Sequence, residues 1–317
     1  MGARLVRRFS GCLLAIVAAG LCAGPADASQ RLSDVNVKVI SLQVNGRGEA
    51  LVVYRTERGA VRRVLAWGAV NARPSSSEEP QVQFRFDYSG GWSKYGRPVW
   101  QRFRNRCGRY DGPALVLFVA GCRAGDGSYW ALQSWRRIQP TRGFDAFQPS
   151  HMDYELHLSH WSGPLPELEV SPNWTYGGTH EGLFGRVLYQ GVPVHGSRTP
   201  TPSRGDSYAR FFYIDTHNSA YWRGWKRDAA LVARLRSGGF CFSFVPQKPP
   251  PGYPDDRIRP AGNGDRHRVT VMGPGVTPVL RWEGPDLGPY DRQEDVLYNR
   301  LFDRIFDAGD DVCARER

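Results

Sequence analysis

The run His151-Met152-Asp153-Tyr154-Glu155-Leu156-His157-Leu158-Ser159-His160 holds the densest set of residues suited to chemistry in this chain. On a β-strand alternate residues share a face, which puts His151, Asp153, Glu155, His157 and Ser159 together. Two imidazoles and two carboxylates on one face suit a divalent metal or acid–base work, so His151, Asp153, Glu155 and His157 form the candidate metal set. Same-face neighbours stand about 6.6 Å apart, so two or three at most converge on one ion. A solvent-facing polar row opposite a buried row of Met152, Tyr154, Leu156 and Leu158 produces the same alternation without any metal.

Aromatic and basic residues interleave in three other places: Trp92 to Arg109, Trp135-Arg136-Arg137, and Tyr221-Trp222-Arg223-Gly224-Trp225-Lys226-Arg227. Aromatic faces stack on sugar rings, and guanidinium forks hold carboxylates and phosphates. The last cluster places three aromatics within five residues of an expected loop, so Tyr221, Trp222, Arg223, Trp225 and Arg227 are the candidate ligand-binding residues. Packing of arginine over core aromatics is the competing use of such pairs.

Other catalytic templates are absent from the sequence. There is no Gly-x-Ser-x-Gly elbow, phosphate loop or dinucleotide fingerprint. His180-Glu181 lacks the second histidine of a zincin helix, because position 184 is Phe184. Glycosidase carboxylates lie far apart in sequence. Asp87, Glu155, Glu167, Glu169 and Asp215 are the acids near expected strand ends, and nothing singles out two of them.

An export signal sets the context for these residues. Arg4, Arg7 and Arg8 precede an apolar run from Leu13 to Leu21, and Ala26-Asp27-Ala28 then supplies a small-x-small cleavage pattern. The run is shorter than the ~20 residues of a membrane-spanning helix, so cleavage after Ala28 and release outside the cytoplasm are expected, with no anchor left behind. Removal of residues 1–28 leaves 39 basic and 30 acidic residues from the chain's 42 and 31, a net of +9 instead of +11. Such a surface favours anionic partners, and outside a cell these are envelope polymers or acidic glycans rather than nucleotides. Because only Lys38, Lys94, Lys226 and Lys248 are lysines, the positive charge is almost wholly arginine. GC-rich coding gives the same bias.

Four cysteines remain after cleavage, and an oxidising compartment favours their pairing as Cys107–Cys122 and Cys241–Cys313. The short loop is worth about 3 kcal/mol and the long one somewhat over 4 in the chain-entropy model.

The elements that must position these residues are short strands. Val35, Val37 and Val39 alternate with polar neighbours, and glycine turns bound Ala50–Arg55 and Val61–Trp67, giving an N-terminal β-meander over residues 33–72. Residues 73–80 are polar and proline-bounded, a loop or linker before a main domain over 81–317. There, Ala114–Ala120 reads as a buried strand leading into Tyr129–Ile138. Tyr154–Trp161, Leu183–Tyr189, Ala209–Asp215, Phe240–Val245 and Arg268–Met272 are further strands, while 226–236 suits a short helix or a strand. Asp291 and Glu294 form a capping box ahead of Val296, Leu297, Leu301, Ile305 and Phe306, which predicts an amphipathic helix over 291–308 packed on the sheet. The fold expected is mainly β, an antiparallel sandwich or irregular barrel with that helix added. The function expected is a non-catalytic module that binds a glycan or anionic envelope polymer. The alternative is an extracellular hydrolase using strand-end acids or a metal on the His151–His157 strand.

Overall fold

A computed structural model describes residues 29–71, 82–136, 153–175, 180–194, 212–218, 224–231, 239–244, 266–285, 291–293 and 296–297. The export signal, the 73–80 loop, Cys313 and most of the 291–308 helix lie outside these residues. The described residues are mainly β and form four antiparallel sheets, none closed on itself.

The first sheet is the meander β2 (Lys38–Val44), β3 (Ala50–Arg55), β4 (Val61–Trp67) and β5 (Arg85–Asp87). Its first turn forms because the Asn45 carboxamide oxygen accepts the N–H groups of Arg47 and Glu49, a local bond that asparagine makes well. The second sheet runs β1 (Gln30–Val35), β9 (Tyr154–Trp161), β8 (Tyr129–Arg136), β7 (Phe118–Arg123) and β6 (Gly108–Arg109). Val52, Tyr54 and Val64 of the first sheet share one core with Trp130, Leu132, Leu156 and Leu158 of the second.

The other two sheets carry a second core. One joins β10 (Glu167–Thr175), β11 (His180–Tyr189) and β12 (Val192–Pro193), with β15 (Gly239–Phe244) paired to β11. Its partner has the order β14 (Gly224–Leu231), β13 (Phe212–Asn218), β16 (Arg266–Val271), β17 (Leu280–Pro285). Leu183, Val187, Phe212, Ile214, Phe240 and Val269 fill this core, and Trp135 of the second sheet joins it. The buried loop after β16 ties the halves together. Val276 carbonyl accepts His160 N–H at 2.8 Å, and Gln133 binds both the carbonyl and the N–H of Val279.

The structure corrects two expectations. The apolar run Ala114–Ala120 is not a buried strand: β7 begins only at Phe118, and Phe118 and Val119 are each 43% exposed. A turn with Leu117 at φ 57 breaks the run. The polar row of β9 does not face solvent either. Glu155, His157 and Ser159 are buried, because the face opposite Leu156 and Leu158 is turned toward the second core. At the chain's end, Asp291 accepts the Gln293 N–H at 2.6 Å as an N-cap does, and Val296 and Leu297 are exposed.

Candidate anion-binding surface

From the end of β5 through β6 the chain carries Lys94, Arg97, Arg102, Arg104, Arg106 and Arg109 and no acidic residue from 92 to 110. Its path is irregular but pinned throughout. α1 (Trp92–Tyr95) opens the segment, and two buried carboxylates hold it. Asp87 accepts the Ser89 N–H at 2.8 Å, the Ser89 hydroxyl, and the Lys94 N–H at 3.1 Å. Burial works against the Asp87 charge, but these bonds hold the carboxyl below its usual range. Glu49 accepts Lys94 Nζ at 2.7 Å, Asn45 Nδ2 at 2.7 Å and the Tyr95 hydroxyl, with Arg47 at 3.2 Å. Burial pushes its pKa upward, yet the bonds from Lys94, Tyr95 and Asn45 prevail and set it at about 2. The chain reverses at Gly91, whose φ of 107 favours glycine and whose missing Cβ leaves room for Val99.

The second half of the segment is fastened to β2. Arg106 N–H donates to Val44 carbonyl at 2.7 Å, and the Asn105 side chain accepts Val44 N–H at 3.1 Å and Cys107 N–H at 3.0 Å. The Cys107–Cys122 disulfide, with Cα atoms 5.6 Å apart, then locks the segment to β7. Phe103 and Cys107 are half-buried, whereas Arg102 and the run Arg104-Asn105-Arg106 are exposed. The guanidinium groups of Arg97, Arg102, Arg104, Arg106 and Arg109 make no ion pair among the described residues. The acid just past the segment, Asp111, is taken by Arg123 at 2.9 Å. Trp92 stands 59% exposed at the start, and the Trp100 ring is covered by the Arg63 guanidinium at 4.1 Å.

The residues picked from the 221–227 cluster fare differently. Tyr221, Trp222 and Arg223 lie outside the described residues. Arg227 is buried and bound to the fully buried Asp215, Nε to Oδ1 at 2.8 Å, while Arg268 Nε meets the other oxygen at 2.7 Å. Register explains the row: Asp215 on β13 faces Arg227 on β14 and Arg268 on β16, and Glu283 on β17 continues it. Burial disfavours the Asp215 charge, but the two guanidiniums outweigh it and hold the carboxyl below its ordinary range. Trp225 is half-buried, with Arg268 over its ring at 4.2 Å and His217 edge-on at 5.4 Å. At these two positions the aromatic–arginine pattern serves packing within the sheet.

The candidate metal row does not gather as a ligand set. His151 lies outside the described residues, and Asp153 accepts Asn36 Nδ2 at 2.8 Å. Glu155 pairs with Arg31 at 3.0 Å and His157 Nε2 at 3.2 Å, while His157 Nδ1 donates to Ser29 carbonyl at 2.9 Å and its ring stacks on Trp135 at 3.8 Å. Among the described residues no three His, Cys, Asp or Glu side chains come together as metal ligands. His160, on the opposite face, stacks on Trp130 at 3.7 Å, with Nδ1 2.6 Å from Ala69 carbonyl and Nε2 2.9 Å from Ser128 Oγ. Burial drives its pKa down to about 4.

Of the remaining strand-end acids, Glu169 pairs with Arg186 at 2.7 Å. Cys241 is also disulfide-bonded, and its expected partner Cys313 lies outside the described residues. No helix among the described residues is long and apolar enough to cross a membrane. Alternation of arginine with Phe103, Asn105 and Cys107 over 102–107 is the sequence signal that singles out the arginine strap, and it is weak because the segment has no regular β pairing. Compared with known proteins, the chain matches no family model, no curated protein and no solved structure.

Proposed function

We propose that the protein is exported and acts as a non-catalytic module that holds an anionic envelope polymer on the arginine strap of residues 97–109. The observation that carries this reading is five exposed arginines, without ion pairs among the described residues, on a backbone fixed at both ends. Cations displayed this way attract polyanions over a Debye length and meet them with little ordering cost. Trp92, exposed beside them, offers a face for a sugar ring. Cleavage after Ala28 and the Cys107–Cys122 disulfide both suit an oxidising compartment outside the cytoplasm. We read the packed sheets as an antiparallel sandwich followed by a C-terminal helix that begins at Asp291. The hydrolase alternative draws less support, since Asp87, Glu155 and Asp215 are buried and bonded within the fold.

Retention of the mature protein on immobilised alginate and on neutral dextran tests the reading. Alginate should retain the wild type and dextran should not, and the Arg102→Gln, Arg104→Gln, Arg106→Gln triple variant should lose retention at unchanged Tm. Equal retention of the two proteins would overturn it.

A further inference from the structure

A second group of arginines lies on the sheet of β13, β14, β16 and β17. Register and alternation put Asp215, Arg227, Arg266, Arg268, Arg281 and Glu283 on one face of it, turned away from the core residues Ile214 and Val269. Four guanidiniums thus share this face with two carboxylates. Asp215 is already shared by Arg227 and Arg268, and Glu283, its side chain 42% exposed, stands 3.8 Å from Arg281. Burial and the neighbouring guanidiniums of Arg268 and Arg227 push the Arg281 pKa below its ordinary value, against the pull of Glu283 and Asp215. Positive charge is therefore in excess here, and a buried charge is stable where an opposite one meets it.

Two of these side chains are tethered through Nε. Arg268 donates from it to Asp215 at 2.7 Å, and its guanidinium lies 4.2 Å over the Trp225 ring. Arg281 donates from it to Thr270 Oγ1 at 3.2 Å. The Nη donors of both make no further hydrogen bond among the described residues. Because Arg268 faces Glu283 and Arg281 faces Thr270, the two are diagonal neighbours, about 7–8 Å apart at their backbones and within reach of one small group. Their side chains are 11% and 16% exposed, and Arg266 beside them is exposed. We propose that Arg268 and Arg281, with Arg266 at the rim, form a site for one compact oxyanion, a carboxylate or a phosphate group. A guanidinium fork pairs with either. Tethering through Nε, and at Arg268 through the Trp225 ring as well, lowers the ordering cost of binding. Glu283 beside Arg281 repels further negative charge, so the site takes a single group and not a polyanion. None of these residues belongs to the strap.

The test follows the arginine Nε–H signals of the mature protein by NMR during titration with sodium phosphate and, separately, sodium acetate, with chloride holding the ionic strength constant. The Arg268 and Arg281 signals should shift and saturate with at least one of the two salts, which identifies the group. Arg281→Gln should abolish saturation at Arg268, with Tm as the check on folding. Glu283→Gln, which keeps every arginine, should bind about threefold more tightly, the effect of removing one like charge several ångströms away in water. The Arg102→Gln, Arg104→Gln, Arg106→Gln variant should saturate as the wild type does, because the strap takes no part. Shifts that rise linearly with both salts, saturation that persists in folded Arg281→Gln, or a Glu283→Gln variant no tighter than the wild type would overturn the site. Loss of saturation in the strap variant would overturn it too, by assigning the anion to the strap.

Discussion

Glu49 offers a quantitative check on how the strap is held. Its carboxylate lies under α1 and receives Lys94, Tyr95 and Asn45, and its pKa falls from 4.5 to about 2. A group with a depressed folded pKa contributes stability that is complete above its unfolded pKa and is lost as pH falls through the folded one. The contribution is therefore present above pH 4.5 and disappears toward pH 2. The whole shift corresponds to about 3 kcal/mol. The Lys94 side chain, the charged partner, is itself 25% exposed, so part of the attraction is screened, and the share that remains is roughly 2 kcal/mol. Glu49→Gln should remove that amount at neutral pH, measured by urea unfolding, and the gap to the wild type should close as pH approaches 2. Parallel stability curves for the two proteins from pH 6 to pH 2 would refute the reasoning, because they would mean that the folded state does not favour the ionised carboxylate.

Three other outcomes follow from the same structure. Asp215→Asn leaves Arg227 and Arg268 buried around a neutral group and should cost about 3–5 kcal/mol in chemical unfolding, with a loss under ~1 kcal/mol counting against the ion-paired row. Replacing Cys107 and Cys122 together by serine releases a cross-link spanning 15 residues and should cost about 3 kcal/mol, read in the same assay. His160 should titrate near pH 4 in the folded protein by NMR. An unfolded chain takes up that proton near pH 6.5, so folded stability should decline as pH drops from 6.5 to 4, and His160→Gln should flatten the decline.

Much of the N-terminal fold is legible in the sequence because its signals are local. Period-two apolar residues and glycine turns place β3 and β4 at Ala50–Arg55 and Val61–Trp67, and β9 spans Tyr154–Trp161 as the pattern predicts. β10 is concealed by Pro172 inside it, which an edge strand tolerates. β11 continues back to His180 through glycines that read as a loop. Gly185 is needed there because a Cβ would run into the Phe240 ring and the Glu169 carbonyl of the neighbouring strands. β13 likewise runs on through Asp215 to Asn218, where the polar residues suggest a turn.

The site is less legible than the fold, for a physical reason. Whether an arginine is displayed or buried depends on its cross-strand partner, and register is a property of the assembled sheet. Arg227 and Arg104 look alike in sequence, yet one lies between Asp215 and Tyr213 and the other faces solvent. The polar row on β9 alternates like an outward face, but a second core covers it.

The central claim is that the strap's arginines replace counterions on a bound polyanion. Its most direct test is the salt dependence of polymer binding, measured for the wild type and for the Arg102→Gln, Arg104→Gln, Arg106→Gln variant with long-chain polyphosphate. Each arginine–phosphate pairing removed should make the slope of log K against log salt shallower by about 0.7, so the triple variant should differ by about 2. Identical slopes in the two folded proteins would contradict the account.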